Sequence, residues 1–96
     1  IFTDAYVFSL VECLAEAGRK AGLPADLAMR LARETVAGAG ELLHQSPDPA
    51  SRLRQNVTSP GGTTAAALAV FDEGDLMGLV ADAMRAARDR GRELGA

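Results

Sequence analysis

The chain has 96 residues, of which 48% are hydrophobic, and it contains no tryptophan. Its formal net charge is −3 and its basic residues are scattered among acidic ones, so nucleic acid is not an expected partner. A single cysteine can form neither an internal disulfide nor a CxxC metal site, so no metal is expected and the cytoplasm is the expected compartment. No apolar run approaches the roughly 20 residues that span a bilayer, so no membrane association is expected.

The first predicted helix covers residues 5 to about 21, where apolar residues recur with the i, i+3, i+4, i+7 spacing of an amphipathic helix. Asp4 is the expected N-cap of this helix. Gly22 indicates its end, and Pro24 two residues later is expected in the first turn of a second helix.

The second predicted helix is long and runs to about residue 45. Gly38 and Gly40 lie in its interior, where a glycine costs about 1 kcal/mol relative to alanine. Such residues usually mark the close approach of another backbone, so a helix crossing is expected there. Cys13 on the preceding helix has leucine neighbours at helical spacing and is interpreted as a small buried hydrophobic residue.

A proline-rich break at residues 46–49 separates the first two helices from the rest of the chain. Asp48 is expected to cap a short helix opened by Pro49 and ending near residue 55. A glycine-rich segment, residues 57–64, comes after it. A helix over residues 64–71 is next and is closed by Gly74, and Asp75 is expected to cap the last helix.

No segment has the period-two alternation of a half-buried strand. The sequence therefore predicts an all-α fold, a small bundle of about four or five helices. Apolar stripes on three helices exceed what one small core can cover, which predicts that the chain forms a homodimer.

The Ser-Pro-Gly-Gly-Thr-Thr turn at residues 59–64 is the strongest candidate for a binding site. It leads into a helix, where backbone N–H groups and hydroxyls together favour an anion such as a carboxylate. Pro60 stiffens the approach, and Gly61 and Gly62 carry no side chain that could block it. From these residue types alone, a capped turn without a ligand remains an open interpretation.

Several short runs occur in a fixed order along the chain: Ala5-Tyr6-Val7-Phe8, Ala15-Glu16-Ala17-Gly18, Gly22-Leu23-Pro24, Thr35-Val36, Gly38-Ala39, Leu53-Arg54, residues 57–64, Ala67-Leu68 and Val70-Phe71-Asp72. Together they closely resemble the signature of pyrroline-5-carboxylate reductases. One departure is Asp4, which stands where this family has a proline near the nicotinamide.

The resemblance implies a two-domain reductase that makes L-proline from 1-pyrroline-5-carboxylate with NADPH or NADH. An N-terminal Rossmann domain would bind the cofactor, and a helical domain like that of 6-phosphogluconate dehydrogenases would form an interlocked dimer. Residues 1–96 would be the helical dimerisation and substrate-binding domain, since no G-x-G-x-x-G unit is present. The start at Ile1 suggests that residues upstream are missing, so the chain alone should be inactive. The preferred cofactor and any assembly of dimers into higher oligomers stay open.

Residues that match the family's substrate site are Val57, Ser59, Gly61, Gly62, Thr63 and Thr64. The resemblance implies that the turn holds the carboxylate of the imino acid through hydroxyl and N–H groups. It also implies that Thr64 is the catalytic residue, with its hydroxyl near the ring nitrogen, and that Val57 flanks the ring.

Two other interpretations stay open. The chain could be a catalytically inactive helical oligomerisation module, in which the glycine-rich turn is a cap without a ligand. It could also be the helical half of another Rossmann-linked dehydrogenase. A sugar-phosphate site would be expected to use lysine or arginine, and the turn has neither.

Overall fold

The computed structural model describes residues 2–95, and this part of the chain contains five α-helices and no strand. The helices are α1 (Asp4–Lys20), α2 (Ala25–Gln45), α3 (Ala50–Asn56), α4 (Thr63–Glu73) and α5 (Leu76–Gly95). The prediction of an all-α fold with four or five helices is confirmed. Residues 2–48 and residues 49–95 form two compact units. None of the helices in residues 2–95 has the length and apolar character that crossing a membrane requires.

Helix α1 begins one residue earlier than predicted, and its N-cap is Thr3 rather than Asp4. Thr3 has extended backbone angles, and its hydroxyl accepts a hydrogen bond from the backbone N–H of Ala5 at 3.3 Å. Asp4 instead lies in the first helical turn, where a carboxylate interacts favourably with the helix dipole. The predicted cap was therefore wrong by one position, between two residue types that can both cap a helix.

A glycine with positive φ closes α1 and leads into α2. Gly22 has φ +108 and its N–H donates to the carbonyl of Arg19 at 3.0 Å, while the N–H of Leu23 donates to the carbonyl of Gly18 at 3.1 Å. These two bonds are the pattern of a Schellman C-cap. Pro24 then occupies the N-cap of α2 and not its first turn, so the predicted start was one residue early.

Alanines form the contact between α1 and α2. Ala15, Ala28 and Ala32 are 8%, 3% and 5% exposed, and they are the buried residues of this unit. A Cβ placed on Gly18 would lie 3.2 Å from the Cβ of Ala28, so these two helices approach closely at Gly18. The close approach expected at Gly38 is not made by the described chain, where a Cβ on that residue would meet nothing within 4 Å.

In the second unit, α3 begins after Pro49, which is its N-cap, so the prediction that Asp48 caps this helix was wrong by one residue. Gly74 ends α4 as predicted. Asp75 comes next with φ +54, and its carboxylate accepts a hydrogen bond from the N–H of Gly78 at 3.1 Å. The predicted cap of the last helix is therefore confirmed.

The first part of α5 carries an apolar stripe that is open in the described chain. Leu76, Leu79 and Val80 are 47%, 66% and 50% exposed. Ion pairs with i, i+3 spacing occur on the charged part of α5: Arg85 with Asp82, and Arg90 with Glu93. All four side chains are more than half exposed, so these pairs lie on a solvated face of α5.

Candidate functional site

The glycine-rich segment forms a tight turn between α3 and α4. The N–H of Gly62 donates to the carbonyl of Ser59 at 3.0 Å, which closes a four-residue β-turn. Pro60 at its second position supplies a fixed negative φ, and Gly61 at its third position has φ +70. This combination meets the requirements of a type II turn, which needs a residue that tolerates positive φ at the third position.

Thr58 fastens the beginning of the turn to α3. Its hydroxyl donates to the carbonyl of Arg54 at 2.6 Å, and its N–H donates to the carbonyl of Gln55 at 3.1 Å. Two bonds from one residue thus continue the helical ladder into the turn and orient the residues after it. The sequence interpretation assigned Thr58 no separate role, although its spacing of four residues from Arg54 is that of a threonine bonding back onto a helix.

The end of the turn is the N-terminus of α4. Gly62 is the N-cap, its backbone is extended with φ −89 and ψ −175, and it makes no side-chain capping bond. The carbonyl of Gly62 accepts the first helical bond from the N–H of Ala66 at 3.2 Å. The N–H groups of Thr63, Thr64 and Ala65, in the first turn of α4, have no partner within an α-helix and are available to an outside acceptor.

The predicted site residues lie on an accessible surface. Val57 is 67% exposed, Ser59, Thr63 and Thr64 are exposed, and Gly62 is half-buried. Space around the turn is open, because a Cβ on Gly61 would meet nothing within 4 Å. Approach to the backbone N–H groups is therefore unhindered.

The turn carries no charged side chain between residues 57 and 64. An anion held there would be bound by neutral donors, namely backbone N–H groups and hydroxyls, with the positive end of the α4 dipole. Arg54 and Asp72 line a separate concavity of about 550 Å³ beside α4 and α5. The turn alone therefore offers neutral hydrogen-bond donors, and no opposite charge, to an anion.

The single cysteine does not lie where the sequence predicted it. Cys13 is exposed, so its interpretation as a buried hydrophobic residue was wrong. It lies on the surface of α1 beside Glu12 and Glu16, not on the side that packs against α2. No group of three metal-binding side chains occurs among residues 2–95.

Two ionisable side chains on α1, Glu16 and Arg19, shift each other's pKa. Arg19 donates to the carboxylate of Glu16 at 2.6 Å, which lowers the pKa of Glu16 and raises the pKa of Arg19. Because the pKa of Glu16 is lowered on folding, the pair stabilises α1 above the ordinary value of 4.5 and loses this effect as the pH falls through the lowered pKa. Both side chains are at least half exposed, so solvent screens the pair and its contribution is small.

The helices and the turn match known proteins along almost their whole length. The profile of a family described as pyrroline-5-carboxylate reductase dimerisation matches residues 2–94. The chain belongs to this family. The resemblance seen in the short sequence runs is therefore confirmed, and the pyrroline-5-carboxylate reductase fold accounts for all five helices.

Individual relatives agree with this assignment. Pyrroline-5-carboxylate reductases of Synechocystis sp. and Glycine max are each 42% identical to the chain over 95% and 94% of its residues. A crystal structure of pyrroline carboxylate reductase from Plasmodium falciparum with NADP bound superposes with a TM-score of 0.90 at 34% identity over 96% of the chain. A pyrroline-5-carboxylate reductase structure from Coxiella burnetii also gives 0.90, at 41% identity over 94%.

The chain spans about a third of the length of these proteins, 34% of the Synechocystis enzyme and 35% and 33% of the two solved chains. The similarity thus concerns the helical dimerisation part of pyrroline-5-carboxylate reductases. It gives no support to the interpretation of the chain as the helical half of a different dehydrogenase.

Proposed function

We propose that residues 1–96 are the dimerisation and substrate-carboxylate domain of a pyrroline-5-carboxylate reductase. The full-length protein would reduce 1-pyrroline-5-carboxylate to L-proline. The observation that carries this proposal is the match of residues 2–94 to the dimerisation family of these enzymes. The open turn before α4 supports it, since the substrate carries a carboxylate and the turn presents neutral anion-binding groups.

The nicotinamide cofactor would be held outside this chain. The described residues contain no strand and hence no β-α-β unit of the kind that binds a dinucleotide. The relative from Plasmodium falciparum has NADP bound, which supports NADPH or NADH as the cofactor of the full-length protein. The cofactor supplies the hydride that adds to the carbon of the C=N bond.

The carboxylate of the imino acid would lie against the N-terminus of α4. Ser59 would donate from its hydroxyl, while Gly61, Gly62 and Thr63 bring backbone close to the ligand. The N–H of Gly62 already donates to Ser59 at 3.0 Å, so in this arrangement its main contribution is the absence of a side chain. The N–H of Thr63 in the first turn of α4 is a free donor for this purpose.

Thr64 would act on the ring nitrogen. When hydride adds to the carbon, the nitrogen gains an electron pair and is protonated, and a hydroxyl held beside it can orient or pass on that proton. Val57, which is 67% exposed at the end of α3, would cover the face of the ring. The protein's share of the catalysis is thus orientation and anion binding.

The partner would be a second copy of the chain. Large apolar side chains on α1, α2, α4 and α5 are exposed in the described residues, and the family is one of dimerisation domains. We leave open whether dimers assemble further. The cytoplasm is the proposed compartment, because the one cysteine has no partner for an internal disulfide.

The proposal is tested with the full-length protein and 1-pyrroline-5-carboxylate, by measuring the oxidation of NADPH and of NADH. Turnover with either cofactor is the expected result. A folded dimer that binds and turns over neither would contradict the proposal and favour an oligomerisation module without a ligand.

Thr64→Ala in the same full-length protein should lower kcat by about a hundredfold or more, which is the usual range for losing a general acid. Thr64→Ser keeps the hydroxyl and should retain most of the activity, so it is the matched control. Both variants should remain dimeric. Equal kcat and KM in wild type and Thr64→Ala would remove Thr64 from the mechanism.

A further inference from the structure

Thr58 lies between the end of α3 and the turn, and both of its hydrogen bonds are made to α3. Its hydroxyl donates to the carbonyl of Arg54 at 2.6 Å, and its N–H donates to the carbonyl of Gln55 at 3.1 Å. These carbonyls belong to the last turn of α3, where carbonyl groups have no partner inside a helix. Thr58 therefore fixes the direction in which the chain leaves α3.

Burial distinguishes Thr58 from its neighbours. Thr58 is half-buried, whereas Val57 and Ser59 on either side of it are exposed. The Thr58 hydroxyl is bonded to α3, while the Ser59 hydroxyl makes no hydrogen bond within residues 2–95. The two adjacent hydroxyls thus differ, because one holds the backbone and the other is available to a ligand.

Ser59 also packs closely on Gly62, the N-cap of α4. Its carbonyl accepts the N–H of Gly62 at 3.0 Å. A Cβ on Gly62 would lie 3.2 Å from that carbonyl oxygen and 3.4 Å from the Cβ of Ser59. A small rotation of Ser59 therefore changes the distance from its hydroxyl to the N–H groups in the first turn of α4. Simultaneous contact of these donors with one carboxylate depends on that distance.

We infer that Thr58 is a positioning residue of the proposed substrate site, whose hydroxyl bond to Arg54 sets the direction in which Ser59 presents its own hydroxyl to the carboxylate. This inference rests on the proposed function and adds to it a residue that does not touch the substrate. Without the bond, only the N–H of residue 58 ties the start of the turn to α3, and Ser59 has more freedom. The substrate then binds more weakly, because Ser59 must be ordered on binding.

A second threonine makes the same kind of bond away from the turn. The hydroxyl of Thr35 donates to the carbonyl of Leu31 at 2.7 Å, inside α2 and in the other compact unit. Its spacing of four residues is the same as that between Thr58 and Arg54, but no part of the proposed site follows it. Thr35 is therefore the matched control for the loss of such a bond.

The test is Thr58→Val in the full-length protein, which removes the hydroxyl and nearly keeps the shape of the side chain. KM for 1-pyrroline-5-carboxylate should rise about fivefold, the effect of one neutral hydrogen bond, while kcat and KM for the nicotinamide cofactor stay unchanged. Thr58→Ser keeps the hydroxyl and should restore the wild-type KM. Thr35→Val should leave all three constants unchanged. Thr58→Ala removes the same hydroxyl and gives the same test if valine is not accommodated.

A double variant with Thr58→Val and Ser59→Ala separates positioning from a general loss of structure. It should have the same KM for the imino acid as Ser59→Ala alone, because the hydroxyl that Thr58 positions is already absent. Additive increases in KM, or an unchanged KM in Thr58→Val, would overturn the inference. Turnover by wild type and a raised KM in Ser59→Ala would then leave the proposed function standing. A wild-type protein without turnover would instead contradict the proposed function itself.

Discussion

Asp75 joins α4 to α5 in a backbone conformation that side chains rarely adopt. Its φ of +54 is tolerated best by glycine, asparagine and aspartate, and its carboxylate receives the N–H of Gly78. A Cβ at Gly78 would collide with that carboxylate. The cap therefore requires two residues at once, an aspartate in the turn and a glycine three positions later.

Gly78→Ala should lower the free energy of unfolding by about 1 to 2 kcal/mol, because the carboxylate must move and the cap is lost. Asp75→Ala removes the same capping carboxylate and should lower the free energy of unfolding by at least as much. Denaturant titration at one fixed protein concentration measures both. A stabilising Gly78→Ala would show that the cap contributes nothing.

The helix N-caps show how much of the local structure can be predicted from residue types alone. Asp75 was predicted as the cap of the last helix because aspartate precedes an apolar periodic run, and it is the cap. At the first helix, Thr3 and Asp4 are adjacent and both can cap, so the sequence does not decide between them. The extended backbone of Thr3 decides, and that conformation depends on where the chain enters the helix.

Among the elements, the turn at residues 57–64 was the easiest to predict. Pro60 followed by Gly61 specifies a type II turn, and the structure has the corresponding bond from Gly62 to Ser59. The proposed role of the turn, to hold a carboxylate, could not be predicted from those residues alone. It came from the resemblance of the surrounding helices, because the N-terminus of a helix binds many anions.

Ser59→Ala in the full-length protein should raise KM for the imino acid about tenfold or more and change kcat little. The variant loses one hydrogen bond to a carboxylate that is bound equally in the ground and transition states. Ser51→Ala on the exposed surface of α3 is the control and should behave like wild type. Unchanged KM in Ser59→Ala would mean that the hydroxyl does not contact the substrate.

Helix crossings were the hardest elements to place. Gly18 and Gly38 are both interior glycines, and the sequence favoured Gly38 because small residues surround it. Within the chain the close approach is at Gly18, where an added Cβ would lie 3.2 Å from the Cβ of Ala28. A glycine inside a helix indicates that another backbone packs closely against it. The glycine does not indicate whether that backbone belongs to the same chain.

For the whole molecule, the balance of buried and exposed side chains is the dominant property. The sequence predicted more apolar surface than one small core can cover, and among residues 2–95 only three alanines are buried. Leucines and valines that would fill the core of a monomer are exposed instead, as on α5. Sequence patterns identified these apolar stripes correctly, but periodicity does not say which partner covers each of them.

Thermal unfolding should therefore depend on protein concentration. If a second copy covers the apolar stripes, mass action stabilises the folded dimer, and the melting temperature rises with the concentration of chains. Calorimetry of the 96-residue chain over a hundredfold range of concentration measures this. A melting temperature independent of concentration would show that the chain is stable without a partner.

The small buried core, which consists of three alanines, also affects the rate of folding. A hairpin of α1 and α2 forms from local contacts and can appear quickly, yet it has little apolar burial to hold it. The step that commits the chain would then be the meeting of two such partly formed molecules. The rate of refolding after dilution from denaturant should be second order in chain concentration. A newly synthesised chain would then complete its folding only after it meets a second copy.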